Sequence, residues 1–149
     1  MSLLSALLRE PLAVGSRAPD FSALDQDGNL VTLSSLLGRA VILVFYPGDD
    51  TPTCTTQLCE LRDRWQDLSE RGIAVFGVNG RSAGSHEKFR RKFGFPFPLL
   101  VDKGGKVAAT YNAGGLIIRR TVYGIDAGGM IRFAQRGKPL PAEILASLT

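Results

Sequence analysis

The sequence predicts an α/β fold in which helices flank a mixed β-sheet. Two nearly unbroken apolar runs, Val41–Tyr46 and Ile73–Val78, are typical of strands that are covered on both faces. Between them, apolar residues recur at the helical steps of three, four and three: Leu58, Leu61, Trp65 and Leu68. A strand, a helix and a strand at this spacing predict a right-handed crossover that joins two parallel strands.

A hairpin and a second helix flank this unit. Ser22–Leu24 and Leu30–Leu33 lie on either side of an Asp-Gly turn, which predicts two antiparallel strands. A helix is predicted from about Ser85 to Phe93, because Gly94 and a proline-rich segment end the helical pattern.

The last third of the chain supplies shorter elements. Leu99–Val101 is predicted as a strand and Val107–Tyr111 as a short helix. Thr121–Ile125 and Met130–Ala134 flank a Gly-Gly turn and predict a second hairpin, and Pro141–Leu148 is predicted as a closing helix. A parallel pair followed by an antiparallel hairpin, with helices between and after, predicts a thioredoxin-like fold that the first hairpin extends at its N-terminal side.

Length and composition indicate one globular domain. The chain has 149 residues, of which 44% are hydrophobic and 21% are charged. We expect residues 12–149 to form the domain and residues 1–11 to form an N-terminal extension. No stretch approaches the roughly 20 apolar residues of a membrane span, and the N-terminus lacks the basic start of a secretion signal. The expected location is therefore the cytoplasm.

The basic charge does not by itself predict a nucleic-acid partner. The net charge is +4, but basic residues are scattered among acidic ones. We interpret Arg90-Arg91-Lys92 as a solvated helix face and His86, at a predicted helix start, as a surface residue. Asp49-Asp50 precede a helix, where they would either stabilise it electrostatically or chelate an ion. Two cysteines and one histidine are too few for a zinc or iron–sulfur site without carboxylates or a partner chain.

Both cysteines lie in one predicted helix that begins at Thr51-Pro52. Threonine is a favoured N-cap and proline is favoured at the first helical position, so Cys54 is expected at the third position, inside the first turn. Free backbone amides and the positive end of the helix dipole stabilise a thiolate there. Cys54 also faces the apolar stripe at the carboxyl end of the preceding strand, where open α/β sheets usually carry their sites.

The helix alone does not stabilise a thiolate sufficiently. A free cysteine thiol is only a few per cent ionised at pH 7, and making it mostly anionic takes about 3.4 kcal/mol. A helix N-terminus contributes at most about 2 kcal/mol. We therefore expect a cation beside Cys54. The candidates are Arg119 and Arg120, which otherwise would be ordinary surface arginines at the start of a strand.

Cys59 follows Cys54 by five residues. Ideal helix geometry separates their Cα atoms by roughly 8.7 Å, whereas a disulfide requires less than about 7 Å. A bond between them would therefore require the helix to unwind locally, which suits a transient bond better than a permanent one. In a reducing compartment, two cysteines are more often working thiols than a structural staple.

The motif around Cys54 resembles that of the peroxiredoxins of the bacterioferritin-comigratory (PrxQ) type. Pro47, Thr51 and Cys54 fill the family pattern P-x-x-x-T-x-x-C, and the subgroup often has a second cysteine five residues on, where Cys59 lies. The family's remote arginine stands six residues before the aspartate of a strand-ending segment, here RTVYGID, which selects Arg120.

The similarity extends from about residue 12 to the end, through VGSRAPDF at 14–21 and FPFPLLVD at 95–102. Arg119 is unmatched. Thr53 stands where the subgroup commonly has glycine, and Gly48 where it often has lysine. Neither departure removes a group that the family's reaction needs, although Thr53 could narrow the approach of a peroxide to Cys54.

The resemblance implies a thiol peroxidase of hydrogen peroxide and organic hydroperoxides that needs no metal, haem or flavin. Cys54 would attack the peroxide, which Thr51 and the Cys54 backbone amide would hold. Arg120 would stabilise the thiolate and the breaking O–O bond, and Pro47 would shield the sulfur from water. Cys59 would then form an intramolecular disulfide with Cys54, which thioredoxin or a similar dithiol would open. The subgroup is often monomeric, so a monomer is expected.

Three other functions are weighed against this one. A general thiol–disulfide oxidoreductase of the thioredoxin type would have a CxxC motif, but position 57 is Gln57. A basic binding module for nucleic acid would make the set of Thr51, Cys54 and Arg120 coincidental. An exported domain with a permanent disulfide would keep its cysteine pair oxidised under mild reduction.

Overall fold

The computed structural model describes residues 9–114 and 117–149 and confirms the predicted α/β fold with a mixed sheet. The described strands, in chain order, are β1 (Ser22–Asp25), β2 (Leu30–Thr32), β3 (Val41–Phe45), β4 (Ala74–Asn79), β5 (Leu99–Val101), β6 (Thr121–Ile125) and β7 (Ile131–Arg136). The described α-helices are α1 (Pro52–Asp63), α2 (Trp65–Glu70), α3 (Ala83–Phe93), α4 (Lys106–Thr110) and α5 (Pro141–Leu148). Short 3₁₀ turns cover Leu33–Leu36 and Lys103–Gly105.

These strands form one sheet in the order β2-β1-β5-β4-β3-β6-β7. β3 pairs with β4, and β4 with β5, in parallel, while the other neighbours are antiparallel. The predicted parallel pairing of β3 with β4 is confirmed, and so are both hairpins. The first hairpin joins the sheet because β1 pairs with β5.

The two central strands are buried on both faces, as their apolar sequences predict. Every residue of β3 and β4 is buried. In β3, Val41, Leu43 and Phe45 pack into one hydrophobic cluster, whereas Ile42 and Val44 pack into a second cluster on the opposite face. Side chains of α1, α2, α3 and α5 cover the second cluster, which also contains Cys54.

One helix prediction is wrong in its extent. The apolar pattern from Leu58 to Leu68 suggested a continuous helix, but the helix ends at Asp63 and a second one begins at Trp65. Arg64 between them has φ −101° and ψ 10°, outside helical geometry. No proline or glycine marks this break in the sequence. Leu58, Leu61 and Leu68 are nevertheless buried on the same face of the sheet.

The expected N-terminal extension, residues 1–11, lies outside the described residues up to residue 8. In its described part, residues 9–11, the carbonyl oxygen of Glu10 accepts a hydrogen bond from Asn112 Nδ2, 3.3 Å away. Across residues 9–114 and 117–149, no helix has both the length and the apolar character needed to cross a membrane.

The sheet register brings distant parts of the sequence to one edge. β6 runs antiparallel to β3 and pairs Thr121 with Phe45. The residues just before β6 therefore lie beside the carboxyl end of β3. The loop from Tyr46 to Thr51 leaves the sheet at this edge and leads into α1.

Candidate active site

Cys54 lies in the first turn of α1, as the sequence predicts. Thr51 occupies the N-cap with extended backbone angles, φ −94° and ψ 153°, and Pro52 is the first helical residue. Cys54 is thus third in the helix, where backbone amides have no intrahelical partner and the helix dipole is positive. Its side chain is 0% exposed and belongs to the second hydrophobic cluster.

Arg120 provides the cation that the burial of this sulfur requires. Its Nη2 donates a hydrogen bond to Cys54 Sγ at 3.2 Å, and its Nη1 donates to Gln57 Oε1 at 2.7 Å. Arg120 reaches Cys54 because the antiparallel pairing of β6 with β3 places it at the start of α1. Arg119, the other candidate, is exposed.

Gln57 is a site residue that the sequence analysis did not identify. Its side chain is buried, and besides accepting from Arg120 it donates from Nε2 to the carbonyl oxygen of Gly137, 3.3 Å away. By accepting a hydrogen bond from Nη1, Gln57 holds the Arg120 guanidinium in the orientation in which Nη2 donates to Cys54. The available signal was a polar residue three positions after Cys54, next to the buried Leu58.

Thr51 is the N-cap by position but not by its side chain. The predicted N-cap position is confirmed, but the Thr51 hydroxyl makes no cap hydrogen bond and instead donates to the carbonyl oxygen of Gly48 at 3.3 Å. Thr51 is exposed, so its hydroxyl lies at the surface beside the helix start. Pro47 is exposed at the end of β3.

Cys59 lies on the same continuous helix, in its second half. Both cysteines are free thiols, and Cys59 is half-buried against the second hydrophobic cluster. Burial raises the pKa of the Cys59 thiol, which Arg62 opposes and Asp63 reinforces. Cys59 is therefore protonated at neutral pH, and a bond to Cys54 requires α1 to unwind, since an intact helix holds the two Cα atoms about 8.7 Å apart.

Three polar side chains of α1 form hydrogen bonds with other elements, and these bonds would have to break when the helix unwinds. These contacts are Gln57 Nε2 to Gly137 O at 3.3 Å, Lys138 Nζ to Glu60 Oε1 at 2.8 Å, and Arg62 Nη1 to Phe93 O at 2.6 Å. They join the helix to the segment before α5 and to the end of α3. The folded form of α1 is therefore held from two sides.

One interpretation of a polar residue near this site is wrong, and one of the two alternatives left open for Asp49-Asp50, chelation of an ion, has no support in the described residues. His86, expected at the surface, is 0% exposed, and its Nδ1 lies 2.6 Å from Asp49 Oδ2. The carboxylate of Asp49 is hydrogen-bonded to the side chains of Tyr46, Asn79, Ser85 and His86. Among the described residues, no group of three or more metal-ligating side chains is found. By contrast, Asp50 forms a surface ion pair with Lys92 at 2.9 Å.

The comparisons with known proteins define the family. Residues 14–134 match the AhpC/TSA family, so the chain belongs to that family. Peroxiredoxin Q, chloroplastic, of Oryza sativa subsp. japonica is 40% identical over 123 residues, which are 80% of this chain and 57% of the rice protein. A Coxiella burnetii protein that carries the name peroxiredoxin bcp is 38% identical over 121 residues, 81% of this chain and 78% of that protein. The chain therefore spans little more than half the length of the rice relative.

Solved structures agree with the fold. The crystal structure of peroxidoxin BcpB from Mycobacterium tuberculosis superposes with a TM-score of 0.84 at 29% identity, covering 93% of this chain and 96% of that one. The crystal structure of a Xylella fastidiosa PrxQ mutant gives a TM-score of 0.83 at 23% identity over 93% and 94% of the two chains, a likeness that concerns the fold alone. The thioredoxin-like fold and the resemblance to PrxQ-type peroxiredoxins are confirmed.

Proposed function

We propose that this chain is a thiol peroxidase that reduces hydrogen peroxide and organic hydroperoxides. The observation that carries the proposal is the 3.2 Å hydrogen bond from Arg120 Nη2 to the buried sulfur of Cys54, in the first turn of a helix. A guanidinium and a helix N-terminus together favour a thiolate at a position where burial alone would oppose it. Membership of the AhpC/TSA family supports the same reaction.

In the first step, the Cys54 thiolate attacks the terminal oxygen of the peroxide. The sulfur–oxygen bond forms as the O–O bond breaks, so the terminal oxygen stays on the sulfur as a sulfenic acid, and the other oxygen takes up a proton and leaves as water or an alcohol. Arg120 stabilises the negative charge that moves onto the leaving oxygen. The Thr51 hydroxyl and the backbone amide of Cys54 hold the peroxide, and Pro47 shields the sulfur from bulk water.

In the second step, α1 unwinds and Cys59 attacks the sulfenic sulfur of Cys54. A disulfide forms, and the oxygen leaves as water. Because the raised pKa keeps Cys59 protonated, its proton is available to the departing oxygen. A dithiol protein of the thioredoxin type then opens the disulfide by exchange, which restores both thiols and leaves the partner oxidised.

The position of Gln57 argues against a general thiol–disulfide oxidoreductase. That alternative requires a second thiol at position 57, where Gln57 instead accepts a hydrogen bond from Arg120. We further propose that the protein acts as a monomer in the cytoplasm, without a nucleic-acid or membrane partner. Gel filtration and cell fractionation test these two assignments.

Peroxide consumption coupled to thioredoxin and its reductase tests the proposed function. The wild-type protein should turn over repeatedly, whereas Cys54→Ser should consume no peroxide above the background rate. Thr53→Ser, which changes the neighbouring side chain but removes no proposed group, serves as the matched control and should retain turnover. Equal activity of wild type and Cys54→Ser would refute the proposal.

A further inference from the structure

The loop from Tyr46 to Thr51, called the active-site loop below, carries one member of a buried carboxylate–imidazole pair. The proposed reaction does not use this pair. His86 Nδ1 and Asp49 Oδ2 are 2.6 Å apart, with the two side chains 0% and 4% exposed. Asp49 belongs to the loop between β3 and α1, two residues before Thr51, whereas His86 lies in the first turn of α3. The pair therefore joins the active-site loop to α3.

The partners of the imidazole show where its hydrogens lie. His86 Nε2 is 2.8 Å from the carbonyl oxygen of Leu100, which can only accept, so Nε2 carries a hydrogen. A neutral imidazole would then have no hydrogen on Nδ1. The short contact between Nδ1 and the carboxylate of Asp49 therefore needs one more proton, either on His86 or on Asp49.

The other contacts of Asp49 place that proton on His86. Its carboxylate also accepts from the Tyr46 hydroxyl at 2.7 Å, the Ser85 hydroxyl at 2.7 Å and Asn79 Nδ2 at 3.2 Å. A carboxylate that accepts several hydrogen bonds is stabilised as the anion. Burial raises the pKa of Asp49, but hydrogen bonds and charge from His86, with Ser85 and Tyr46, lower it below its ordinary value.

The tyrosine in this network cannot supply an alternative anion. Burial and the negative charge of Asp49 raise the pKa of Tyr46 well above its ordinary value. Its hydroxyl therefore keeps its hydrogen and donates it to Asp49. All four neighbours of the carboxylate are donors, and the network carries one negative and one positive charge.

We propose that Asp49 and His86 form a buried ion pair, with His86 held as an imidazolium, which positions the loop 47–51 for the reaction at Cys54. The positioning role, unlike the ion pair itself, depends on the proposed peroxidase function. The loop requires an anchor because the backbone of Asp50 has a φ of +56°, a left-handed conformation that residues other than glycine rarely adopt. Asp49 supplies the anchor by binding the ends of β3 and β4 and the start of α3, while His86 binds β5.

The pair differs from a catalytic group, because neither residue is in contact with Cys54 Sγ or Arg120 among the hydrogen bonds of the described residues. Its effect on the reaction passes through the loop. Thr51 is attached to Asp49 by a single intervening residue, so a shift of the carboxylate moves the hydroxyl that is proposed to hold the peroxide. His86 and Asp49 are therefore positioning residues.

The protonation state can be read directly, because His86 is the only histidine of the chain. The experiment is nitrogen-15 NMR of protein labelled at histidine, at pH 8, where a free imidazole, with a pKa of about 6.5, is almost entirely neutral. The expected result is two protonated ring nitrogens with imidazolium shifts. A spectrum with one protonated and one bare nitrogen would overturn the ion pair, whatever the enzymatic activity.

The anchoring is tested by His86→Gln, with Glu87→Gln as the matched control on the same helix. Glu87 forms a surface ion pair with Arg91, so its neutralisation should leave the loop unchanged. In His86→Gln, amide hydrogen exchange across residues 46–53 should accelerate, and the second-order rate constant with peroxide should fall at least about tenfold. If His86→Gln does not fold, Asp49→Asn is expected to give the same two results, since it keeps the shape of the side chain.

The possible outcomes separate the two proposals. The anchoring would be overturned if His86→Gln and Asp49→Asn both kept the wild-type rate constant with peroxide and the wild-type amide exchange. It would also be overturned if their amide exchange accelerated without any loss of that rate constant. A wild-type protein that shows both imidazolium signals but does not reduce peroxide would refute the proposed function and retain the ion pair. A doubly protonated His86 together with a slow, loosened His86→Gln variant would support the complete proposal.

Discussion

Replacing Arg120 with methionine removes the cation from the candidate active site while keeping an apolar side chain of comparable length. In the structure, Arg120 Nη2 is 3.2 Å from Cys54 Sγ. Coulomb's law gives about 1.3 kcal/mol for two unit charges at that distance in water and about 5 kcal/mol at an effective dielectric constant near 20. Hydrogen bonds to charged groups typically contribute about 1.5–3 kcal/mol, within these bounds.

This loss corresponds to a decrease of roughly 10-fold to 150-fold in the ratio of thiolate to thiol at fixed pH. The assay is the rate of alkylation of Cys54 by iodoacetamide at neutral pH, measured in a Cys59→Ser background so that one thiol reacts. The alkylation rate follows the fraction of Cys54 that is thiolate, so Arg120→Met should react more slowly than the wild type, but by less than that factor, because the wild-type sulfur is expected to be mostly thiolate. Arg120→Lys should fall between the two, because lysine keeps the charge but cannot bind Cys54 and Gln57 with one planar group.

Arg119→Met is the matched control, since Arg119 is the exposed residue directly before Arg120 in the segment that leads into β6. It should alkylate at nearly the wild-type rate. Equal alkylation rates in Arg119→Met and Arg120→Met would show that the contact between Arg120 and Cys54 does not stabilise the thiolate, and the proposed role of Arg120 would fail.

The remaining predictions concern the resolving thiol, the core and acid stability. Cys59→Ser should consume about one equivalent of peroxide and then stall or over-oxidise, so wild-type turnover with thioredoxin would exclude Cys59 as the resolving thiol. Gly77→Ala should lower the free energy of unfolding by about 1–3 kcal/mol, because the added Cβ would lie 2.7 Å from the buried Leu99; Gly84→Ala, with 3.9 Å to its nearest neighbour, should not destabilise, and equal urea midpoints would contradict this difference. Asp49 has a lowered pKa in the folded protein, so its contribution to stability is present above the ordinary aspartate pKa and is lost as the pH falls through the folded value. In urea titrations, Asp49→Asn should therefore lose stability less steeply than the wild type below about pH 4. Parallel curves of unfolding free energy against pH would argue against an ionised carboxylate on Asp49.

Much of the fold follows from local patterns in the sequence. The apolar runs of β3 and β4 could be identified because strands buried on both faces need nonpolar side chains at every position. Pro141–Leu148 was predicted with its observed bounds because proline at the first helical position is a strong start signal. The break at Arg64 carried no such signal, so the helix appeared continuous in the sequence.

The candidate site was predictable to the extent that it depends on one helix. Thr51-Pro52 fixed the helix start, and counting residues then placed Cys54 in the first turn. The position of Arg120 needed the family pattern, because its partner Cys54 is 66 residues away in the chain. Only the folded sheet brings the two together.

The buried polar residues were the hardest to predict. His86 follows a serine at a helix start and precedes a glutamate, a local setting typical of the surface. Its hydrogen-bond partners in the buried position are a carboxylate 37 residues earlier and a carbonyl oxygen 14 residues later. Gln57 is similar, because the hydrogen-bond partners of its side-chain amide, Arg120 and Gly137, are both remote in sequence. Such partners leave no trace in a local pattern.

The central claim is that Cys54 is held as an anion at neutral pH, in a buried position. The most direct measurement is the thiolate ultraviolet absorbance of Cys59→Ser, from which that of the double variant Cys54→Ser/Cys59→Ser is subtracted. We expect the difference at pH 7 to equal most of one thiolate, and to shrink in the Arg120→Met background. A difference that is absent at pH 7 and develops only in alkaline solution, with or without Arg120, would contradict the account.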